Sequence, residues 1–215
     1  SNVGWAGEID AAANGGGSFS EVVLEPKRIT AYIDVSKQFL LQDSASAEAL
    51  IRADIVRAIS NKLEETILGN ATGNAKQPAG LLYGATALKD TTYKTIVGLM
   101  QTLEEKNVSG DIKYIVSPSA KATLKTATKD AGSGAFIMQD GEIDGVPALT
   151  TSACKGIVLG NFADYVIGQW GAIDLTVDPY SQATNGKVRL VVNAYFDAKP
   201  RRADAFVAKT LPTAA

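Results

Sequence analysis

Groups able to do chemistry are few in this chain, and they are awkwardly placed. The 215 residues include no histidine. That removes the Ser-His-Asp and Cys-His nucleophile arrangements, the histidine-bearing zinc sites and the usual proton shuttle. Carboxylates come in pairs at Glu64/Glu65, Glu104/Glu105 and Glu142/Asp144, and such pairs can work as acid and base or hold a cation. The first two fall on polar helix faces and the third in a glycine-flanked turn, where solvated side chains are the ordinary outcome. Cys154, the lone cysteine, cannot close an internal disulfide and reads as a small buried hydrophobe at a strand edge.

Two glycine-bearing stretches invite a phosphate-binding reading: IDAAANGGGSFSE at residues 9–21 and GNATGNAKQPAGLL at residues 69–82. A phosphate loop needs a strand before it and a helix N-terminus directly after it. Gly15-Gly16-Gly17 is followed by a strand pattern, and residues 69–82 contain neither GxxxxGK[ST] nor GxGxxG. The densest positive charge is Lys199-Pro200-Arg201-Arg202. Lys199, Arg201 and Arg202 are a candidate basic contact to nucleic acid; the competing reading pairs the arginines with carboxylates near a turn. With 21 basic against 23 acidic residues the net charge is −2, which argues against a whole-surface nucleic-acid binder.

The elements around these residues are legible from periodicity. A chain of this length buries roughly 70% of the surface that its unfolded form exposes, and 46% hydrophobic with 20% charged residues is ordinary globular composition. No window approaches 18 uninterrupted apolar residues and no basic-then-apolar leader is visible, so a soluble chain is expected. Residues 5–8 and 19–35 predict the two sides of a ribbon, with Pro26 marking an edge strand. From Ser44, Leu50/Ile51, Ile55, Ile59, Leu63 and Ile67 step along one helical face, predicting a helix of about 24 residues that Gly69 and Asn70 stop.

A second helix is expected over residues 92–106, burying Ile96, Val97, Met100 and Leu103, then a strand over 111–117 and a helix opened by Pro118. Short strands follow near residues 136–138, 146–151, 157–159, 165–169 and 173–177. Two longer strands, 187–196 and 205–209, end the pattern. Ribbon, long helix and mixed elements together predict an α+β fold.

Catalysis is poorly supported by these residues, whereas a two-stranded ribbon with a glycine tip has too little apolar surface to stand alone and needs a partner surface. In this setting SFSEVVLEPKRITAYIDVSKQFLLQDS at residues 18–44, the amphipathic helix after it and GNATGNAKQPAGLL at residues 69–82 together resemble the HK97-type family of tailed-bacteriophage major capsid proteins. The family's strand pattern is met by Phe19, Val22, Leu24, Pro26, Lys27, Arg28 and Ile29. Its lead into the long helix is met by Val35, Ser36, Gln38, Phe39, Leu40, Asp43 and Ser44, and its turn-rich stretch by Gly69, Asn70, Thr72, Pro78, Gly80 and Leu81. Ala71 stands where the family often has glycine. Val116-Ser117-Pro118, Asp144-Gly145-Val146-Pro147, Gly160-Asn161-Phe162 and Arg202-Ala203-Asp204-Ala205-Phe206 are similar to its later landmarks, so the likeness spans the chain.

The resemblance implies an HK97-like capsid fold in four parts. Residues 1–36 would form an extended loop reaching over an adjacent subunit, and 37–91 a peripheral domain with the long helix as its spine. Residues 92–178 would form an axial domain, and 179–215 closing strands that return to the peripheral domain. The loop contacts would come from Ala11, Ala12, Asn14, Gly15, Gly16, Gly17 and Phe19. Members usually carry an amino-terminal arm, and often a removable scaffolding segment, ahead of the loop. The implied protein is no enzyme and uses no cofactor or metal. It would assemble with itself, as pentamers and hexamers, into an icosahedral virion shell, first in the host bacterial cytoplasm. Packaged double-stranded DNA would be met by non-specific contact only, portal and scaffold or protease proteins would act during assembly, and no membrane would be involved.

Rivals are an encapsulin-like nanocompartment shell and a carboxylate-dependent enzyme using Glu142 and Asp144. Some members join subunits through an isopeptide bond between a loop lysine and a neighbour's asparagine, aided by a glutamate. Residues 9–18 hold no lysine and residues 187–196 no glutamate. Ala12 and Asn193 stand where the family's amine and carboxylate would be, so a shell without cross-links is expected.

Overall fold

The computed structural model describes residues 21–38, 44–132 and 134–212. The expected loop contacts Ala11, Ala12, Asn14, Gly15, Gly16, Gly17 and Phe19 lie outside the described residues. Strand β1 (Lys27–Ser36) begins directly after Pro26, and it lies at one edge of a three-stranded sheet, as a proline that lacks an N–H donor requires. Its antiparallel partner is β8 (Lys187–Pro200), and β8 in turn pairs with β7 (Tyr165–Asp178). Along β8, Val188, Leu190, Val192, Ala194 and Phe196 point to one face and are buried.

Helix α1 (Ser44–Ile67, 24 residues) covers that face with Ile51, Ile55, Ile59 and Leu63. The apolar stripe runs through Ile51; Leu50, its expected alternative, is 69% exposed. Across the sheet, Tyr32, Trp170 and Tyr195 face solvent on the side away from α1. The strands expected at 165–169 and 173–177 are one strand, β7, with a register shift between Trp170 and Asp174. Gly171 at φ 70° takes the left-handed conformation that this irregularity needs.

The turn-rich residues 69–82 fold back over the end of α1 and satisfy carbonyls that a helix C-terminus leaves unpaired. Leu81 N–H donates to the Ile67 carbonyl at 2.7 Å and Leu82 N–H to that of Gly69 at 2.9 Å. Gly80 is required there, since a Cβ would sit 2.1 Å from the Gly69 carbonyl oxygen. Asn74 Oδ1 accepts from the N–H groups of Lys76 and Gln77, closing the intervening turn.

The second sheet has the order β3-β4-β5-β2-β6-β9. Its strands are β2 (Ile112–Val116), β3 (Met138–Gln139), β4 (Glu142–Ile143), β5 (Val146–Thr150), β6 (Gly156–Asn161) and β9 (Phe206–Thr210). No alternation could reveal β4, because it has only two residues, held between Asp140-Gly141 and Asp144-Gly145. All four of those residues have positive φ, 50°, 84°, 51° and 76° in chain order, as tight hairpin turns demand. Helices α2 (Tyr93–Glu105) and α3 (Pro118–Thr126) pack on one face of this sheet.

Asp90 accepts from the Thr92 backbone and from the hydroxyls of Thr92 and Thr95 ahead of α2. Those bonds hold its carboxyl at about 2. The buried face of α2 is Ile96, Leu99 and Leu103, with Met100 packed beside it; Val97, expected inside, is 39% exposed, and Leu99 takes its place. Ser117 Oγ accepts from Ala120 N–H and caps α3, with Pro118 in its first turn.

Every residue of β6 is buried. Ile157 and Leu159 meet α2 and α3, whereas Val158 faces the other way, into a cluster with Ile67, Leu68, Leu82, Cys154 and Ala198. That second cluster joins the two sheets, because it draws on the end of α1 and on β8. Strand β7, expected among the strands of residues 92–178, pairs instead with β8, and Arg189 of β8 holds Asp34 of β1 through two bonds, Nε to Oδ1 at 2.7 Å and Nη2 to Oδ2 at 2.9 Å.

Candidate assembly surface at the root of the amino-terminal segment

Among the described residues no cluster of three or more acidic, histidine or cysteine side chains could hold a metal ion. Asp144 takes Lys129 Nζ at 2.5 Å and the Tyr93 hydroxyl at 3.1 Å. These bonds raise the pKa of both partners, so the carboxylate tethers a turn to α2. Glu142 is exposed, with its strand neighbour Ile143 carrying the burial. Glu64, Glu65, Glu104 and Glu105 are exposed as well. Cys154 is fully buried in the turn before β6, where Sγ donates to the Gly156 carbonyl at 3.4 Å, and burial pushes its thiol up. Thiols held in that form are poor nucleophiles.

The charged groups that do converge lie where residues 21–26 run into β1. Asp197, on β8, is 0% exposed and Lys27 7%. Lys27 Nζ lies 3.1 Å from Asp197 Oδ1, and Glu25 N–H donates to Oδ2 at 2.9 Å. Burial pushes the Asp197 carboxyl up, but the Glu25 and Ala198 N–H groups and Lys27 outweigh it and hold the group below the ordinary carboxylate range. Lys199 stands on the same carboxylate at 3.9 Å and donates to the Val23 carbonyl at 2.6 Å. Leu24 closes over Gly168, where a Cβ would come within 3.0 Å of its Cδ1. The sequence pattern gave Lys27 a place in a strand motif and passed over Asp197; its only local signal is an acid inside an apolar, alternating strand.

The expected basic cluster is divided by this geometry. Lys199 holds the root, and Arg202 donates to the Lys106 carbonyl at 3.3 Å, just beyond the end of α2. Neither arginine ion-pairs with a carboxylate among the described residues, contrary to the pairing weighed from sequence. Arg201 uses its backbone N–H on the Asp164 carbonyl, and its exposed side chain borders a crevice of about 480 Å³ with Val22, Leu24 and Asp164. On the open face of the three-stranded sheet, Arg189 lies 4.3 Å from the Tyr32 ring centre and bonds Asp34. The outer edges of β1 and β7 have no strand partner among the described residues. No helix among those residues is long and apolar enough to cross a membrane.

A surface with two strand edges open among the described residues, exposed aromatics and the anchored residues 21–26 suits contact between protein molecules. Relatives of the chain agree with it. The chain is 27% identical over 214 residues to the major capsid protein of Halomonas phage phiHAP-1, covering 95% of this chain and 35% of that protein. It therefore spans about a third of the length of that curated relative. Among solved structures, the capsid of an empty GTA particle computed with C5 symmetry superposes with a TM-score of 0.76 at 16% identity, covering 100% of this chain and 81% of that one. The Mycobacterium phage Adephagia structure gives 0.72 at 13% identity, covering 100% and 82%. These likenesses establish a shared α+β, HK97-like fold. Because the model of the phage capsid family matches residues 1–210, nearly the whole chain, this protein belongs to the phage capsid family.

Proposed function

We propose that the chain is the shell-forming part of the major capsid protein of a tailed phage or prophage, assembling with copies of itself into a closed icosahedral shell around double-stranded DNA. The observation that carries this reading is the match of the entire chain, in sequence family and in fold, to capsid subunits. The chemistry is mechanical. Many copies bury modest interfaces, and segments crossing onto neighbours multiply weak contacts. Residues 1–36 are assigned to the extended loop, with Ala11, Ala12, Asn14, Gly15, Gly16, Gly17 and Phe19 touching a neighbour. Residues 37–91 are assigned to the peripheral part, 92–178 to the axial part and 179–215 to the closing strands.

The pairing of β7 with β8 supports a direct joint between the end of the 92–178 part and the closing strands. The presence of β8 in one sheet and β9 in the other supports closing strands that tie the parts together. Of the basic cluster, Arg201 has the freest guanidinium for a non-specific DNA contact, since Lys199 and Arg202 already hold backbone carbonyls. Portal and scaffold or protease proteins are the expected assembly partners, and the host cytoplasm the place of assembly. No observation favours a cargo nanocompartment or an enzyme.

Electron microscopy of the purified protein tests the reading. Closed particles of uniform size are expected, and particles boiled in detergent should release this polypeptide as a monomer, without a covalent ladder. Only soluble monomers under every assembly condition would contradict the shell, and a ladder resistant to reductant would contradict the absence of cross-links.

A further inference from the structure

We propose that Asp197 is a positioning residue: through Glu25, Lys27 and Lys199 its carboxylate fixes the course of residues 21–26 as they run into β1. Residues 21–26 form no helix or strand, and among the described residues no ladder of backbone bonds holds them. Nor does burial, since Val22 and Val23 are 38% and 54% exposed. What holds them is the Glu25 N–H on Asp197 Oδ2, the Val23 carbonyl on Lys199 Nζ, and Lys27 on Asp197 Oδ1. Leu24 against Gly168 adds the one close apolar seat.

The choice of charge is informative. A buried ion pair is often no more stabilising than apolar residues of similar size, so two apolar side chains could join β1 to β8 equally well. They could not grip the backbone N–H of Glu25. A carboxylate on β8, paired with Lys27 and approached by Lys199, fixes one path for residues 21–26. The use made of that path in assembly rests on the shell reading; the anchoring itself does not.

The test replaces the pair by apolar groups, K27M/D197L, beside D197N in the K27M background, which keeps an oxygen to accept from Glu25. Hydrogen exchange and cleavage by a glutamate-specific protease are followed in the full protein. In K27M/D197L the Glu25 amide should exchange about tenfold faster or more and the bond after Glu21 should open to the protease, while α1 and β6 amides keep their protection. K27M/D197N should recover part of the Glu25 protection. Closed particles should fall to a tenth or so of the unaltered yield. Unchanged exchange and cleavage in K27M/D197L would overturn the assignment, as would loss of protection spread evenly over α1 and β6. Normal particle yield from a variant with a loosened root would overturn its role in assembly. Failure of the unaltered protein to form particles would instead count against the shell reading, with the exchange data still judging Asp197.

Discussion

The two sheets solve opposite problems. The six-stranded sheet is closed in on itself: β6 is buried throughout, α2 and α3 cover one face, and the end of α1 covers part of the other. Its β9 edge is partly sealed, since Leu88 N–H donates to the Thr210 carbonyl and Thr210 N–H to that of Thr86. The three-stranded sheet is longer and more open, with α1 on one face, aromatics on the other and two strand edges unpaired among the described residues. One region stabilises the subunit by itself. The other keeps backbone donors, acceptors and apolar surface available, which a monomer usually hides and an assembling subunit can use.

The largest effect expected from this contrast is at the joint. Val158→Asp would place a charge in the cluster that links both sheets, costing about 4 kcal/mol or more. Ile59→Asp should cost about 3 kcal/mol by lifting α1 from its sheet, whereas Arg57→Ala, on the exposed face, should stay within about 0.5 kcal/mol. Denaturant midpoints check the order. Equal midpoints for Ile59→Asp and Arg57→Ala would show the wrong face of α1 to be buried.

Acid sharpens the comparison next. Asp197 has a lowered pKa, so its contribution is complete above the unfolded carboxylate value of about 4 and is lost as pH falls through the lower folded value. The Glu25 amide, which donates to this carboxylate, should therefore keep its protection at about pH 5 and lose it below about pH 4, before the β6 amides do. Lys27, Lys199 and the Tyr165 hydroxyl face this carboxylate. Loosening that begins near neutral pH would break the account.

The smallest effect on the isolated subunit should come from the open face. Tyr32→Ser and Tyr195→Ser remove side chains that are 63% and 39% exposed, so each should shift stability by less than about 0.5 kcal/mol. Their expected consequence is on assembly, read as a lower particle yield at equal subunit concentration. Full yield from the double variant would remove this face from the contact surface.

Much of this division was legible in the sequence. The stepping of Ile51, Ile55, Ile59 and Leu63 and the proline at 118 marked α1 and α3, since both depend on local rules. Pro26 marked an edge strand for the same reason. What was not legible depended on distant partners. Val97 and Leu99 are both apolar neighbours on α2, and only the sheet beneath decides which one is buried. The pairing of β7 with β8 is set across an intervening turn, and Asp197 looks like a stray acid until Lys27, 170 residues away in sequence, is brought to it by the β1–β8 register.

Hydrogen exchange measured on dissociated subunits and on assembled particles tests the contrast most directly. Assembly should add protection along the outer edges of β1 (Lys27–Ser36) and β7 (Tyr165–Asp178) and leave β2 and β6 unchanged, since each already has a strand partner on both sides within the subunit. Protection gained only within the six-stranded sheet, or none at β1 and β7, would contradict the claim that the open sheet is the assembling half.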